Sequence, residues 1–589
     1  MQNLHELYQH NIQKFQAELK KIKSQLFASS MLRLVFFLVL MIGIYFFYTN
    51  TKIVVGIILL GILGFIFLVK RHTNIHYQKQ LREQLIEINQ TEIEVLNHNF
   101  TQLSDGSEFQ DSLHEFSNDI DLFGKKSFFQ YLNRTSLANG KIRLAHLLIA
   151  NTIQEIPQKQ EAVKELASKL ETRQFFSATA SLIKAETSSD SISKWLVSYQ
   201  KFVPKMMKWL PKVFSGISLI IIVGFFLDFV TWHYLLAWFF IGLFITSRFL
   251  KKINLLSHFV SKSQDTFQQY YQLIGIIEKE SFNAKFLSAL KRNLTTENSS
   301  SSQILQQFSK RIDALDQRNN LLFGALGNGF LLWDLHQSYQ LESWISTHQN
   351  HVKNWFDTLA TFDAYMSLGN FAYNHPDYTF PKINKDKSVM KATNLAHPLL
   401  FKKVVKNDFE IKDEQFFIIT GANMAGKSTF LRTVSLHILM ANIGLPVCAD
   451  SSEYSPIKLI TSMRTSDSLA EESSYFFAEL SRLQFIVNKI KSDKYFIILD
   501  EILKGTNSKD KAIGSQKFIE KLVHSNSTGI IATHDLSLCE VEQQYEEVKN
   551  YYFDAQIIND ELFFDYQFKK GICQNMNASF LLKKMKIVN

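Results

Sequence analysis

The sequence predicts a multi-domain α + α/β protein, in which transmembrane helical hairpins accompany an all-α region and a carboxy-terminal α/β domain. Two observations support this prediction: nearly uncharged apolar runs within 34–69 and 213–246, and a glycine-bracketed loop that follows a short apolar run near residue 420. The chain has 589 residues, which suggests about three or four domains. Hydrophobic residues make up 46% and prolines number only 8, as is typical of a well-ordered helical chain.

The charge balance is basic, with 64 Lys+Arg against 55 Asp+Glu and a net charge of +9. This excess has two interpretations, nucleic-acid binding or cations that flank membrane spans, and the second is favoured for much of it. The three cysteines, Cys448, Cys539 and Cys573, are too few and too scattered for a disulfide framework or a zinc cluster. We therefore expect a reducing compartment and neither zinc nor haem.

Two apolar hairpins are predicted. Residues 34–48 and 53–69 are separated by the turn "TNTK", and residues 213–229 and 234–246 are joined by "DFVTWH". Each run approaches the length that crosses a bilayer as a helix, about 17 to 25 residues. A buried core hairpin is the alternative, but a soluble core helix usually shows a polar face and these runs do not. The sequence therefore predicts four spans in contact with a lipid bilayer.

Cations flank both hairpins and predict their orientation. They are Lys20, Lys21, Lys23, Arg33, Lys70, Arg71, Lys205, Lys208, Lys212, Arg248, Lys251 and Lys252. The positive-inside rule then places the soluble domains in the cytoplasm, with the chain in the inner (cytoplasmic) membrane. No cleavable signal peptide is expected, because a charged, helix-patterned stretch precedes the first apolar run.

The stretch "TGANMAGKSTFLRT", residues 420–433, satisfies the pattern GxxxxGK[ST]. The run "FFIIT" before it predicts a buried strand, and "STFLRTVSLHILMANIG" after it predicts a helix that ends at Gly444. In such a loop, backbone amides surround phosphates, the lysine reaches the β- and γ-phosphates, and the serine binds Mg²⁺. The predicted ATP-binding residues are Gly421, Ala422, Asn423, Met424, Ala425, Gly426, Lys427, Ser428 and Thr429.

Two further strands are predicted to bring polar residues to the same sheet edge. "KYFIILDE" ends in Asp500 and Glu501, and "TGIIATHD" contains His534. Asp500, with Ser428, would hold Mg²⁺, Glu501 would orient or deprotonate the attacking water, and His534 would sense the γ-phosphate. Together with Lys427, Glu501 and His534 form the predicted catalytic set. Each element alone has a plainer interpretation, as a capped strand or a polar strand end.

The segments "TGANMAGKSTFLRT", "SSYFFAEL", "LDEILKGTNSKD" and "ATHD" resemble the ATPase domain of the MutS family of DNA mismatch repair proteins, within the ABC superfamily. Asn423, Met424 and "GTNSKD" distinguish this family from transporters. The resemblance implies a homodimer with two nucleotides at its interface, each reached in trans by Ser474 of the other chain. Ser473 is a close competitor, and a plain helix N-cap is the alternative. "AHPLL" and "KNDFEI" match the start of the domain.

The resemblance extends to the helical region, where "DLFGKKSFFQYLNRTSLANGKIRLAHLL", "IPQKQEAVKEL" and "WFDTLATFDAYMSLGNFAYNHPDYTFPKI" are similar to the MutS core, or lever, domain. A generic helical bundle is the alternative. The predicted division is an amino-terminal helix (1–30), hairpin 1 (31–71), a helical linker (72–117), the first part of the core (118–204), hairpin 2 (205–252), the second part of the core (253–390) and the ATPase domain (391–589).

The chain departs from the family pattern at several points. No counterpart of the mismatch-reading domain is expected before residue 118, and the second hairpin interrupts the core helices. Lys511 stands where the family commonly has glycine, and Val404 where it often has an aromatic residue that stacks on adenine. These departures make direct mismatch recognition doubtful and leave the source of adenine stacking open.

DNA binding is a further expectation that the family suggests. "KFLSALKRNL" places Lys285, Lys291 and Arg292 near one another on a helix, although a solvated helix face is the plainer interpretation. Two hypotheses therefore remain. One is a membrane-anchored ATPase coupled to mismatched, branched or otherwise abnormal duplex DNA, and the other is a mechanochemical membrane ATPase whose dimer closure moves the spans without nucleic acid.

Overall fold

A computed structural model describes residues 2–183, 187–295, 300–384, 388–402, 404–464, 475–503, 508–558 and 561–574. Within these ranges the chain is mostly helical, and its strands form three sheets. The helices are α1 (Gln2–Phe46), α2 (Thr51–Leu96), α3 (Phe128–Leu132), α4 (Ala138–Ile149), α5 (Ile156–Ser168), α6 (Leu170–Ser181), α7 (Ser189–Ser198), α8 (Leu210–Phe226), α9 (Trp232–Ser247), α10 (Leu250–Lys279), α11 (Lys285–Arg292), α12 (Ser301–Asp316), α13 (Leu321–Leu331), α14 (Trp333–Asn374), α15 (Lys427–Asn442), α16 (Tyr475–Lys489) and α17 (Ser508–Val523).

The strands are β1 (Lys382–Ile383), β2 (Ser388–Leu395), β3 (Asn407–Lys412), β4 (Phe416–Gly421), β5 (Ser451–Tyr454), β6 (Lys458–Ser462), β7 (Tyr495–Asp500), β8 (Thr528–Ala532), β9 (Val548–Phe553), β10 (Gln556–Ile558), β11 (Glu561–Phe563) and β12 (Lys569–Lys570). The strands predicted around "FFIIT", "KYFIILDE" and "TGIIATHD" are confirmed as β4, β7 and β8. The helix predicted after the glycine-bracketed loop is confirmed as α15, which ends at Asn442, two residues before Gly444.

Helices α1 and α2 form the first hairpin. The side chain of Asn50 accepts a hydrogen bond from the backbone N–H of Ile53 and starts α2. The polar halves of the two helices are joined by an ion pair between Arg82 and Glu18, with a 2.6 Å separation. In the described part of the chain, these are the two helices that are long and apolar enough to cross a membrane, and their apolar segments are largely exposed.

The second predicted hairpin differs from expectation, and the prediction of four spans is wrong. Helices α8 and α9 contain 17 and 16 residues, about 25 Å each, which is shorter than the roughly 30 Å of a bilayer's hydrocarbon core. Asp228, two residues after α8, has a φ of +60°, and a bend of 67° separates α9 from α10. The described residues therefore contain two candidate spans, or three if α9 and α10 count as one bent span.

The long helix α14 is the axis of the helical core. It contains 42 residues, and α4, α5, α7, α10 and α12 pack along it. The carboxylate of Asp363, in its carboxy-terminal third, accepts hydrogen bonds from the backbone N–H groups of Ser136 and Leu137 just before α4. Burial raises the pKa of Asp363 to about 7. A Cβ on Gly140 would lie 1.9 Å from this carboxylate, so the close approach of α4 to α14 requires a glycine there.

A buried polar network joins the α1–α2 hairpin to this core. Glu92 of α2 is 3% exposed, and its carboxylate accepts hydrogen bonds from Arg134 at 2.8 Å, Asn370 at 3.1 Å and Asn374 at 2.7 Å. The hydroxyl of Tyr8, on α1, donates to Asn374 at 2.7 Å. Both hairpin helices are thus fixed to the carboxy-terminal end of α14 through buried and partly buried polar groups.

The main sheet has the strand order β12-β9-β4-β8-β7-β6, in which only β12 runs antiparallel to its neighbour. Strands β4, β8 and β7 are therefore adjacent and parallel, and their carboxyl ends lie at one edge. A second sheet has the order β1-β5-β2-β3, and β10 and β11 form a small hairpin. At the far edge, Thr461 of β6 donates a hydrogen bond to Asp119, which attaches the main sheet to the helical core.

We predict that Glu92→Ala lowers the free energy of unfolding by about 3–5 kcal/mol, because it leaves the Arg134 guanidinium buried without its carboxylate. Chemical denaturation in detergent micelles measures this loss. The matched control is Asp190→Ala, which removes the exposed Asp190–Lys194 ion pair and should cost less than about 1 kcal/mol. If Glu92→Ala lowered the free energy of unfolding no more than Asp190→Ala does, the buried network would be contradicted. The double variant Glu92→Ala with Arg134→Met should regain part of the lost free energy.

Candidate functional site

The loop between β4 and α15 adopts positive φ angles. Gly426 has a φ of +101°, in the left-handed region that favours glycine, and Met424 also has a positive φ, of +67°. A Cβ on Gly421 would lie 2.7 Å from the carbonyl oxygen of Phe553 in β9. The positive φ of Gly426 and the close packing of Gly421 against β9 thus explain why the motif has glycine at these two positions.

Lys427 lies at the centre of this loop and is 8% exposed. Its ammonium group donates hydrogen bonds to the carbonyl oxygens of Gly421 at 2.7 Å and Ala422 at 3.0 Å, and lies 3.4 Å from Nε2 of His534. Burial lowers the pKa of Lys427, while the carboxylates of Asp500 and Glu501 act in the opposite direction. The loop therefore holds a buried cation at the amino terminus of α15.

Ser428 and Asp500 meet at the same edge of the sheet. The Ser428 hydroxyl donates a hydrogen bond of 2.6 Å to Oδ2 of Asp500, the last residue of β7. Mg²⁺ prefers oxygen ligands and is usually held by one or two protein groups together with substrate phosphates and waters. Within the described ranges, no group of three or more His, Cys, Asp or Glu side chains could hold a metal by itself. The Ser428–Asp500 pair fits a Mg²⁺ ion that arrives with phosphates.

Glu501 begins a strained turn immediately after β7. Glu501 and Leu503 both have positive φ angles, of +57° and +58°, in a region that costs a non-glycine residue free energy. The backbone N–H of Glu501 donates to the carbonyl oxygen of Ala532 in β8, and that of Leu503 donates to the buried carboxylate of Glu479. Lys511 Nζ lies 3.6 Å from Oε1 of Glu501. These contacts orient the Glu501 side chain toward the cleft.

His534 follows β8, the strand between β4 and β7. The backbone N–H of Thr533 bonds to the carbonyl oxygen of Ile419 in β4, which fixes the start of the segment. Burial, and then the positive charge of Lys427, lower the pKa of His534, so the ring is neutral at pH 7. A neutral imidazole beside a buried ammonium can accept one hydrogen bond and donate another.

These residues line a cleft of about 590 Å³, to which the predicted loop residues 422–429, Asp500, Glu501 and His534 all contribute. The sequence prediction missed Tyr566, whose ring lies 3.0 Å from the position of a Cβ on Gly426. Asn407 holds the Tyr566 segment in place, since its amide donates to the Tyr566 carbonyl oxygen at 3.1 Å and accepts from the N–H of Phe568 at 2.7 Å. Nothing in the aromatic-rich stretch "FFDYQF" distinguishes Tyr566 from its neighbours.

His397 is a second wall residue that was not among the predicted site residues. Its pKa is lowered to about 4 by burial, so the ring is neutral. Nδ1 accepts a hydrogen bond from the N–H of Leu399. In the sequence, "AHPLL" matches only the start of the ATPase domain and does not indicate a cleft residue. The one feature that could have indicated His397 is that it lies close to Asn407 in the sequence.

Comparisons with known proteins show which family this region resembles. Residues 417–587 match the family model for MutS domain V. Over these residues the chain is similar to proteins of the MutS family. Similar proteins include MutS protein homolog 4 of Homo sapiens, 29% identical over 250 residues, which is 40% of this chain and 26% of that protein. The DNA mismatch repair protein MutS of Acetivibrio thermocellus is 32% identical over 235 residues, 38% of this chain and 27% of that protein.

A third relative is the DNA mismatch repair protein MutS of Fusobacterium nucleatum, 31% identical over 241 residues, 39% of this chain and 26% of that protein. The chain therefore spans about a quarter of the length of the curated relatives it matches. Two features of the MutS resemblance lie outside the described residues: Ser474, with its competitor Ser473, and residues 505–507 of "GTNSKD". At the position of the family aromatic, Val404 is 38% exposed, and Val405 lines the cleft beside it.

We predict that Gly426→Ala lowers the free energy of unfolding by about 1–3 kcal/mol, because a side chain at a φ of +101° is strained and the new Cβ meets the Tyr566 ring. The matched control is Gly275→Ala in α10, where the nearest atom to the new Cβ is 3.8 Å away and alanine should stabilise the helix by roughly 0.5–1 kcal/mol. Denaturant titration of both variants measures the difference. Equal effects of the two substitutions would contradict the loop conformation.

Proposed function

We propose that this chain is a membrane-anchored MutS-type ATPase that binds and hydrolyses ATP at a composite dimer interface and couples turnover to binding of mismatched, branched or otherwise abnormal duplex DNA. The observation that carries the ATPase proposal is the convergence of Lys427, the Ser428–Asp500 pair, Glu501 and His534 on one cleft. The printed names of the relatives, which include DNA mismatch repair protein MutS, support the proposed link to DNA.

Each residue has a proposed role that follows from its chemistry. The backbone amides of residues 422–429, at the start of α15, surround the phosphates, and Lys427 exchanges its carbonyl partners for the β- and γ-phosphates. Ser428 and Asp500 hold Mg²⁺, which neutralises phosphate charge. Glu501 accepts a proton from the attacking water, and neutral His534 donates a hydrogen bond toward the γ-phosphate. Tyr566 is the proposed source of base stacking, in place of the aromatic residue missing at Val404.

The dimer belongs to the same proposal. Ser474 is proposed to reach the nucleotide of the partner chain, so that hydrolysis requires association of two copies. We further propose that the ATPase domain occupies residues 391–589, and that the positive flanks of the apolar hairpins keep it in the cytoplasm at the inner membrane. Helices α1 and α2 are long and apolar enough to supply the anchor.

The basic helix α11 supports the DNA proposal only in part. Lys285 and Arg292 are exposed. Lys291 instead donates a hydrogen bond of 2.6 Å to the carbonyl oxygen of Glu280, so its ammonium group already has a partner within the protein. Two free cations on a helix of eight residues are a small contact for a duplex, whose binding depends on neutralised phosphates. If this helix contacts DNA, further cations must contribute.

A second candidate function is a mechanochemical membrane ATPase that needs no nucleic acid. The observation that favours it is the Glu92 network, which links α1 and α2 to α14 through buried hydrogen bonds and an ion pair. Such a connection transmits displacement because its members cannot separate without burying unpaired polar groups. Closure of a nucleotide-bound dimer would then move the membrane helices.

We predict that Glu501→Gln binds ATP as the unchanged protein does but hydrolyses it about 10²–10⁴ times more slowly, because an amide cannot accept the proton of the attacking water. Equilibrium binding of a fluorescent ATP analogue and steady-state phosphate release measure the two quantities. The matched control is Glu414→Gln, an exposed glutamate that also has a positive φ, +60°, in the turn before β4. Unchanged turnover in Glu501→Gln would remove Glu501 from the mechanism, and Lys427→Ala should abolish binding itself.

The two candidate functions differ in their response to DNA. We predict that branched or mismatched duplexes raise the ATPase rate of the detergent-purified protein, and that the stimulation falls steeply between low and moderate salt, as counterion release requires. Charge reversal of Lys285 and Arg292 to glutamate should reduce the stimulation and its salt dependence, whereas Lys521→Glu on α17, also exposed, should not. An ATPase rate that no duplex changes would favour the mechanochemical alternative.

A further inference from the structure

Helix α13 is an apolar helix that the sequence prediction did not single out. Its eleven residues, "LLFGALGNGFL", contain no charged side chain. Asn320 caps its amino terminus, and Leu332 ends it in the left-handed conformation, with a φ of +51°. At roughly 16 Å, α13 is about half as long as a membrane span.

Both ends of α13 return to the helical core. Arg318, just before α13, forms an ion pair of 2.8 Å with Asp334, just after it, and these side chains are 13% and 1% exposed. The side-chain amide of Asn328 donates to the Gly324 carbonyl oxygen, and its oxygen accepts from the N–H of Asp334. The chain therefore leaves the core and returns to it at one place, so α13 does not lead to the other side of a bilayer.

Helix α13 packs against the second apolar hairpin at two glycines and a serine. A Cβ on Gly242 of α9 would lie 2.3 Å from the carbonyl oxygen of Gly329, and a Cβ on Gly329 would lie 2.1 Å from the Phe239 ring. On the other side, the Ser218 hydroxyl of α8 donates to the Phe330 carbonyl oxygen at 2.6 Å and accepts from Trp238 at 2.8 Å. Small residues and satisfied hydroxyls at a helix crossing are typical of helices packed in lipid.

Six exposed cations stand at the base of this hairpin, and we call them the cationic collar. They are Lys205, Lys208, Lys212, Arg248, Lys251 and Lys252. The 67° bend between α9 and α10 lies next to three of them, Arg248, Lys251 and Lys252. The collar and the bend mark the plane at which anionic lipid headgroups would meet the protein.

The crossing of α13 lies at a similar depth on both hairpin helices. Gly242 lies five residues inside the end of α9 at Ser247, and Ser218 lies six residues beyond Lys212, which correspond to about 8 and 9 Å along each helix. Amphipathic helices at a membrane surface bury their apolar face by roughly 5–10 Å. The outward side chains of α13 are apolar and highly exposed, with Leu321 at 85%, Leu322 at 72% and Leu326 at 55%.

We propose that α13 is an interfacial membrane helix, which covers Leu321, Leu322 and Leu326 with lipid acyl chains of the leaflet that the cationic collar faces. This contact is separate from the α1–α2 anchor and does not depend on the proposed ATPase activity. It seats the helical core directly on the bilayer, with anionic phospholipid headgroups around the collar. Lipid acyl chains then cover this exposed apolar surface, which would otherwise face water.

The test uses the full chain, reconstituted into vesicles of phosphatidylcholine and phosphatidylglycerol. Single cysteines carrying the environment-sensitive fluorophore NBD are introduced by Leu322→Cys and, as a matched control, Leu113→Cys, an 81% exposed leucine of the α2–α3 connection. The background replaces the native thiols through Cys448→Ser, Cys539→Ala and Cys573→Ala. Leu60→Cys in α2, 71% exposed, is the reference for a lipid-immersed site.

We expect the NBD emission at position 322 to be blue-shifted relative to that at position 113. Lipid that carries a nitroxide near its headgroup should quench the fluorophore at position 322 severalfold more strongly than the fluorophore at position 113. Lipid with a nitroxide at the chain end should quench position 60 more than position 322. Gly242→Leu, which displaces α13 from the hairpin, should reduce quenching at 322 while the chain stays in the membrane fraction. Equal quenching at 322 and 113 would overturn the proposal. So would self-quenching between copies labelled at 322 without quenching by lipid, because the face would then belong to a dimer.

Discussion

The buried ammonium of Lys427 is the interaction on which the candidate site depends. Its hydrogen bonds to the carbonyl oxygens of Gly421 and Ala422 join the end of β4 to the start of α15, and its contact with His534 adds the end of β8. An ammonium ion in a buried site needs acceptors, which the loop carbonyls supply, while the charges of Asp500 and Glu501 favour its protonated form. The parallel order β4-β8-β7 makes this possible, because it brings three carboxyl ends together.

The cleft is also connected to the α1–α2 hairpin by direct packing. Leu400 and Lys402 line the cleft, and Phe401 between them stacks on His98, with ring centroids 3.7 Å apart and an interplanar angle of 11°. His98 follows the end of α2, and a few residues earlier Glu92 anchors the same helix to α14. The cleft wall therefore contacts the segment just after α2 through one aromatic stack, while Glu92 fixes the same helix to α14.

Much of the site could be predicted from the sequence because its signals are local. A strand, a glycine-bracketed loop and a helix follow one another in the chain, so the positions of Lys427 and Ser428 require no knowledge of distant residues. Asp500, Glu501 and His534 were found because each ends a short apolar run, and parallel strands share an edge. Tyr566 could not be found in this way, since it reaches the loop through Asn407, a contact between β3 and a distant irregular segment.

The apolar helices show what amino-acid composition alone cannot predict. Apolar content identified α1 and α2 as helices of sufficient length, but it wrongly predicted two more spans at α8 and α9, because hydrophobicity does not determine where a helix bends or stops. Helix α13 was missed for the opposite reason, since an apolar run of eleven residues is equally compatible with a buried core element. Its exposure was decided by tertiary packing, in which glycines of α9 and α13 bring their backbones together and turn the leucines outward.

By itself, the sequence predicted the glycine-bracketed loop, the strands that precede Asp500 and His534, and a first apolar hairpin, because each of these patterns lies within a short stretch of the chain. Only the tertiary structure decided which wall residues complete the cleft, how many apolar helices are long enough to cross a bilayer, and how α2 is fixed to the core. These outcomes depend on contacts between segments hundreds of residues apart, such as Tyr8 with Asn374, which no local pattern encodes.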